Sequence, residues 1–180
     1  YAHGNEPSHH MAYLYNFVNK PYKTQEKTRQ ILTELYTNSP DGISGNEDCG
    51  QMSAWYIFSS LGFYPVTPGS NQYSIGSPLF DKATIHLEGG KLFTVEAKNN
   101  SLENKYIKNV QLNNKAYPYS YLKHSDIVNG GNLVFEMTDS PTNWGTSDDF
   151  IPSTEIKDHK IIPAPFIKKG DIVFKKSTLV

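Results

Sequence analysis

Among 17 basic residues the chain has a single arginine, Arg29. Phosphates and guanine edges select the planar guanidinium fork, so its scarcity argues against nucleic acid as a partner. One cysteine, Cys49, cannot close a disulfide within the chain. No apolar run reaches the ~18 residues of a membrane-spanning helix. A net charge of -1 leaves little long-range steering. Gly89-Gly90 and Gly130-Gly131 lack a phosphate-loop pattern and read as turns. What remains is 180 residues, 37% hydrophobic and 19% charged, the composition of a soluble globular protein of one domain or two small ones. The sequence opens at Tyr1, without a methionine, and is inside a dense polar motif by its third residue. It reads as a piece of a longer chain.

The hydrophobic period changes near the middle. Residues 8–19 place Met11, Leu14, Tyr15 and Val18 at helical spacing, with Pro7 tolerated in the first turn and Pro21 as the stop. Residues 24–38 predict a second helix, capped by Thr24, with Ile31, Leu32, Leu35 and Tyr36 on one face. Residues 52–61 predict a third, closed by Gly62 and apolar nearly all round, hence buried. Three helices cannot cover such a helix, so the pattern implies a larger helical assembly. Beyond Pro65 the period is two. Residues 83–87 and 92–97 predict a hairpin, 106–112 a strand leading into an Asn113-Asn114 turn, 133–137 another strand and 172–174 a last one. Residues 141–165, rich in Pro, Ser, Thr and Asp, read as a linker or covering loop.

Chemistry-bearing side chains concentrate in two clusters, each just before a predicted helix: His3-Gly4-Asn5-Glu6-Pro7-Ser8-His9-His10 and Gly45-Asn46-Glu47-Asp48-Cys49-Gly50-Gln51. A carboxylate there meets the positive end of the helix dipole and free backbone N–H groups, which favour its ionised form. Capping alone would explain one such site. Two of them, each pairing Asn with Glu, suit a common space holding a hard divalent cation such as calcium, which takes ~6–8 oxygen ligands. Zinc on His3, Glu6 and His9 competes, although Pro7 breaks the helix that the zinc-protease pattern requires. His124-Ser125-Asp126 suggests either a hydrolytic triad or a local cap, with Ser125 not on a glycine-flanked elbow. Cys49 reads as a small packing residue, and His86 as a sheet residue. Twelve tyrosines serve core packing or, alternatively, sugar stacking.

The two clusters, with Gln51-Met52-Ser53-Ala54-Trp55-Tyr56, Gly62-Phe63-Tyr64-Pro65-Val66 and Tyr73-Ser74-Ile75-Gly76-Ser77-Pro78-Leu79-Phe80, closely resemble the C-terminal part of family 92 glycoside hydrolases, calcium-dependent exo-acting α-mannosidases. The resemblance runs from Tyr1 to about Trp144. It implies an α+β chain: the terminal helices of an (α/α)6 barrel (1–64), a strand-rich antiparallel part of the catalytic region (65–145) and a linker or extra segment (146–180). By the same resemblance Asp48 is the catalytic base, Glu6 lies near calcium and sugar with His9 as a further metal ligand, and Asn5, Asn46 and Glu47 bind substrate. In some members the second cluster reads Asp-Glu-Asp, where this chain has Asn46 first. Asn5 stands where some members carry a linkage-selecting histidine. The general acid lies upstream of this sequence. Implied partners are α-mannoside glycans and the rest of the same enzyme, an N-terminal β-sandwich and upstream barrel helices. The implied location is secreted or periplasmic, in a bacterium. Two other readings stand beside this one: a non-catalytic carbohydrate-binding module, and a structural piece whose polar motifs are caps.

Overall fold

The computed structural model describes residues 1–153. The strand expected at 172–174 lies outside the described residues. The first segment is not the regular helix the spacing predicts. It forms two 3₁₀ segments, Glu6–Ser8 and Met11–Val18, the latter longer than the usual three or four residues. A threefold period turns a different face inward: Tyr13 and Asn16 are fully buried, whereas Met11, Leu14 and Val18 are 44–56% exposed. The inward face is anchored by polar bonds. Asn16 Nδ2 donates to the carbonyls of Ile75 (2.8 Å) and Ser120 (3.0 Å), and Asn19 Nδ2 to that of Thr146 (2.9 Å).

Helix α1 (Pro21–Glu34) starts three residues before the predicted Thr24 cap. Pro21 takes the first turn, where its missing N–H costs nothing, and Thr24 is buried inside the helix. Ile31 and Leu32 are core as expected, while Leu35 lies beyond the helix and is 37% exposed. Helix α2 (Gln51–Leu61) is closed by Gly62 at φ 96°, the left-handed cap the sequence indicates. Its burial is one-sided. Met52, Trp55, Ser59 and Ser60 are buried, and Ile57 is 57% exposed.

The strands form two sheets. Strands β1 (Phe63–Tyr64), β2 (Gln72–Ile75) and β7 (Tyr121–Lys123) make an antiparallel three-stranded sheet in the order β1-β2-β7. The second contains β3 (Lys82–His86), β4 (Leu92–Lys98), β5 (Tyr106–Leu112), β6 (Lys115–Ala116) and β8 (Gly131–Thr138), in the order β3-β4-β8-β5-β6. The predicted β3–β4 hairpin and the β5–β6 hairpin are both present, the latter turning on Asn113 and Asn114 at φ 51° and 63°. The sheet is antiparallel except where β8 returns beside β4 in parallel. The connection from β4 to β8 carries β5, β6, β7 and the short helix α3 (His124–Val128), long enough for a crossover. In the 141–165 segment the described part is a cover: Trp144 packs on the sheet core and donates Nε1–H to the Tyr117 carbonyl at 3.0 Å.

Two cores result. Phe93, Val95, Ile107, Leu133 and Phe135 centre the sheet core, and Tyr13, Ile31, Leu32 and Trp55 the helical one, with Phe58 packing on both. Arg29 bolts the layers together. It is 3% exposed and donates to the Pro78 carbonyl (2.6 Å), the Ser101 carbonyl (3.1 Å), Ser77 Oγ (3.3 Å) and Asn100 Oδ1. Burial lowers its pKa to about 10, and Asp81 opposes the shift, so it remains a cation at neutral pH.

Candidate active site

The two polar clusters are brought together by a contact between glycines. A side chain on Gly4 would collide with the Ser44 carbonyl oxygen, and a Cβ on Gly45, itself at φ 90°, would lie 2.9 Å from the Gly4 carbonyl oxygen. Only residues without a Cβ let these backbones approach so closely. Two residues past Gly4 and three past Gly45, the carboxyl groups of Glu6 and Asp48 come within hydrogen-bonding reach of each other.

This geometry reverses one sequence expectation. Asp48 does not cap α2 with its side chain. Glu47 does, through Oε1 accepting the Ser53 N–H at 3.1 Å, while the Asp48 main-chain carbonyl takes the Gln51 N–H at 3.2 Å. Asp48 stands at φ 52°, the first of three successive left-handed residues with Cys49 (58°) and Gly50 (94°), and its carboxyl turns to Glu6. Its pKa is therefore raised, first by partial removal from water, then by the charge and hydrogen bond of Glu6 and the charge of Glu47; His9 opposes the shift. Asn5 and Asn46, the neighbours of Glu6 and Glu47, are both exposed.

His9 is buried, at 2% exposure, and both of its ring nitrogens are engaged. Nε2 bonds the His3 carbonyl at 2.8 Å, which fixes it as the N–H, so Nδ1 accepts from Gln51 Nε2 at 3.0 Å. With both nitrogens engaged inside the chain, His9 holds the first cluster onto α2 in this arrangement, and Nδ1 would reach a cation only by giving up Gln51. His3 is similarly engaged, by Tyr1 Oη at 2.8 Å and Tyr36 Oη at 2.6 Å. Burial, with His9 adding to it, lowers its pKa to about 4. Among the described residues no three His, Cys, Asp or Glu side chains assemble as a metal site, and the occupied imidazoles remove the zinc alternative. The Glu6–Asp48 pair does suit a hard cation. Two carboxyl groups this close either share a proton or flank a positive charge, and with only these two the remaining ligands would be carbonyls, water or substrate hydroxyls.

A floor of aromatic rings supports the site. Trp55 Nε1–H donates to the His9 carbonyl at 3.0 Å, Tyr36 stacks on Trp55 with an interplanar angle of 2°, and Gln51 also donates to Tyr64 Oη at 3.0 Å. The sequence assigns no part in the site to Gly4, Gly45 or Gln51 and reads Tyr36 only as a packing residue; the glycine in each cluster is the available signal. Beside the pair a hollow of about 720 Å³ is lined by Tyr36, Glu47, Ser53, Tyr56 and Ile57, but not by Glu6 or Asp48. The pair thus lies on one open wall. Elsewhere, His124 Nδ1 meets Tyr73 Oη at 2.9 Å and Asp126 Oδ2 accepts the Lys123 N–H at 2.9 Å, so His124-Ser125-Asp126 is a helix start and not a triad. Cys49 is exposed, contrary to a packing role.

Comparison with known proteins decides the family. The model of the glycosyl hydrolase family 92 catalytic domain matches residues 1–139. The chain belongs to family 92. A family 92 α-mannosidase of Bacteroides thetaiotaomicron is 47% identical with a TM-score of 0.81, the match covering 84% of this chain and 20% of that one. An inverting family 92 mannosidase from Bacteroides thetaiotaomicron VPI-5482 is 44% identical with a TM-score of 0.80, covering 84% and 21%. An uncharacterized secreted glycosidase of the fungus Arthroderma benhamiae is 32% identical over 152 residues, 83% of this chain and 20% of that protein. This family 92 chain therefore spans about a fifth of the length of the relatives it matches.

Proposed function

We propose that this family 92 chain is the C-terminal part of the catalytic domain of an exo-acting, inverting α-mannosidase that releases terminal α-mannosides from glycans. The convergence of Glu6 and Asp48 carries the reading. Inverting glycosidases hold their acid and base ~6.5–9.5 Å apart, and retaining ones hold their two carboxyls ~5–5.5 Å apart. Glu6 and Asp48 interact closely enough for Glu6 to raise the proton affinity of Asp48, and we assign them as cation holder and base, not as the acid–base couple. The family resemblance puts the general acid upstream of this chain. Asp48 is the base: it takes the proton from a water attacking the anomeric carbon on the face opposite the leaving group.

Glu6, with Asp48 beside it, would hold calcium, which when bound supplies positive charge and a template for the vicinal hydroxyls of the sugar. Asn5 and Asn46 are exposed beside the carboxyl pair and offer hydrogen bonds to the sugar, as does the Glu47 oxygen not used in capping α2. His9 and Gln51 hold the first cluster onto α2. The uncovered apolar side chains of Met11, Leu14, Val18 and Ile57 support the expectation that upstream helices complete an (α/α)6 barrel around this wall, with an N-terminal β-sandwich elsewhere in the same enzyme. Export is supported by the relative described as secreted; a bacterial periplasm is the location the family resemblance implies.

In the full-length enzyme Asp48→Ala should lower turnover by about 10²–10⁴-fold, the range for a lost general base, with circular dichroism unchanged. Near-normal turnover would remove Asp48 from the mechanism. Activity lost to a chelator should return with calcium, and return with zinc alone would overturn the cation assignment.

A further inference from the structure

A second concave surface shares no side chain with the Glu6–Asp48 site. Tyr117, Tyr119 and Tyr121 alternate with Pro118 and Ser120, and their rings meet edge to face at centroid distances of 5.3 and 5.6 Å. With Lys123 and Asp126 they line a cleft of about 150 Å³. Its walls are held from behind. Phe150 meets the Tyr119 ring at 5.4 Å, Trp144 donates to the Tyr117 carbonyl, and the Ser120 N–H bonds the Phe150 carbonyl at 2.8 Å. Tyr117 Oη lies 3.0 Å from both the Tyr121 carbonyl oxygen and Asp126 Oδ2, with its one O–H shared between the two acceptors. Tyr119 is 36% exposed.

The chemistry narrows what fits. Asp126 disfavours an anion, and Lys123 disfavours the cation that an aromatic cage would otherwise hold. Paired charges on the rim are poorly matched to a purely apolar ligand. A neutral ligand remains, flat and apolar on one face and rich in hydroxyls at its edge. We propose that this cleft is a carbohydrate subsite that takes one hexose ring of a glycan against Tyr119, with hydroxyls bonded to Asp126 and Lys123. The subsite goes beyond the hydrolytic reading and does not depend on Asp48 acting as a base.

The test is affinity electrophoresis of the full-length enzyme through gels containing α-mannan, run in the cold in an Asp48→Ala background. Tyr119→Ala should weaken retardation about three- to tenfold, the scale of one lost aromatic contact, and Tyr119→Phe should retain it. With Asp48 intact, Tyr119→Ala should leave turnover of a small aryl mannoside unchanged and raise KM for mannan. Undiminished retardation of Tyr119→Ala overturns the subsite, as does an equal loss of turnover on both substrates. Protection of Tyr119 from nitration in the full-length enzyme also overturns it, because the rest of the protein would then cover the cleft. A fully active Asp48→Ala enzyme would instead end the role of that base, and retardation would still report on the cleft.

Discussion

Replacing Arg29 by methionine tests how the helical and sheet layers are joined. The guanidinium donates to two main-chain carbonyls, a serine hydroxyl and an asparagine amide oxygen from the β2–β3 and β4–β5 connections. Methionine fills similar space but donates nothing. Ser77 keeps its own bond to the Lys105 carbonyl at 2.7 Å, so three acceptors, on Pro78, Asn100 and Ser101, lose their donor. A buried acceptor left unpaired costs about 1–3 kcal/mol. Allowing for relaxation and for the relief of burying a lone cation, the net loss is about 3–5 kcal/mol. Because the full-length enzyme need not unfold in one step, the suitable assay is hydrogen exchange read on peptides covering 21–34 and 99–107. Exchange there should quicken at least a hundredfold, at about 1.4 kcal/mol per decade. Arg29→Lys should recover less than half of the loss, since an ammonium cannot reach acceptors on both connections at once. Exchange of Arg29→Met within about threefold of wild type would refute the reasoning.

Gly4→Ala should drive the backbone away from Ser44 and move Glu6 relative to Asp48; because an ångström of misplacement can cost about 10²-fold, kcat should fall at least tenfold, with a lower Tm. Asp48→Asn should raise Tm in the presence of chelator at neutral pH. The sign follows from the raised pKa of Asp48: the native pair holds its proton more tightly than the unfolded chain, so wild type loses stability as pH rises above the ordinary aspartate range, and the variant does not. The gain should shrink as pH falls through that range, and calcium should narrow it at neutral pH. His3 works in the opposite sense. With a folded pKa near 4 against 6.5 unfolded, it contributes stability above pH 6.5 that is lost as pH falls toward 4, by no more than about 2–3 kcal/mol. Wild type should show that slope in Tm and His3→Gln should not; parallel curves would refute it.

Much of this was legible in the sequence where one local signal dominates. Gly62 ends α2, Asn113-Asn114 turns the β5–β6 hairpin, and alternation marks β3 and β4. The first segment departs from its apolar spacing because a threefold turn and a 3.6-fold turn share their first contacts and diverge over eight residues, so polar Asn16 lies inward and Leu14 outward. Helix α1 starts ahead of its apparent Thr24 cap because Pro21 already supplies the first turn. The parallel pairing of β8 with β4 depends on contacts remote in sequence, which no periodicity reports. At the site, the clusters were visible as chemistry, but their meeting at Gly4 and Gly45, and the exchange of roles between Glu47 and Asp48, follow from backbone geometry.

The left-handed triplet at residues 48–50 makes position 48 narrow for anyone wishing to retool the enzyme. A β-branched or bulky replacement strains the main chain there, and among ordinary side chains asparagine and aspartate visit this conformation most readily. Lengthening the acid to glutamate would add a methylene and carry its oxygens past Glu6. Libraries that randomise this codon should favour asparagine and glycine among the most stable variants, both without charge, so new specificities are better sought on the side chains around the carboxyl pair than at position 48 itself.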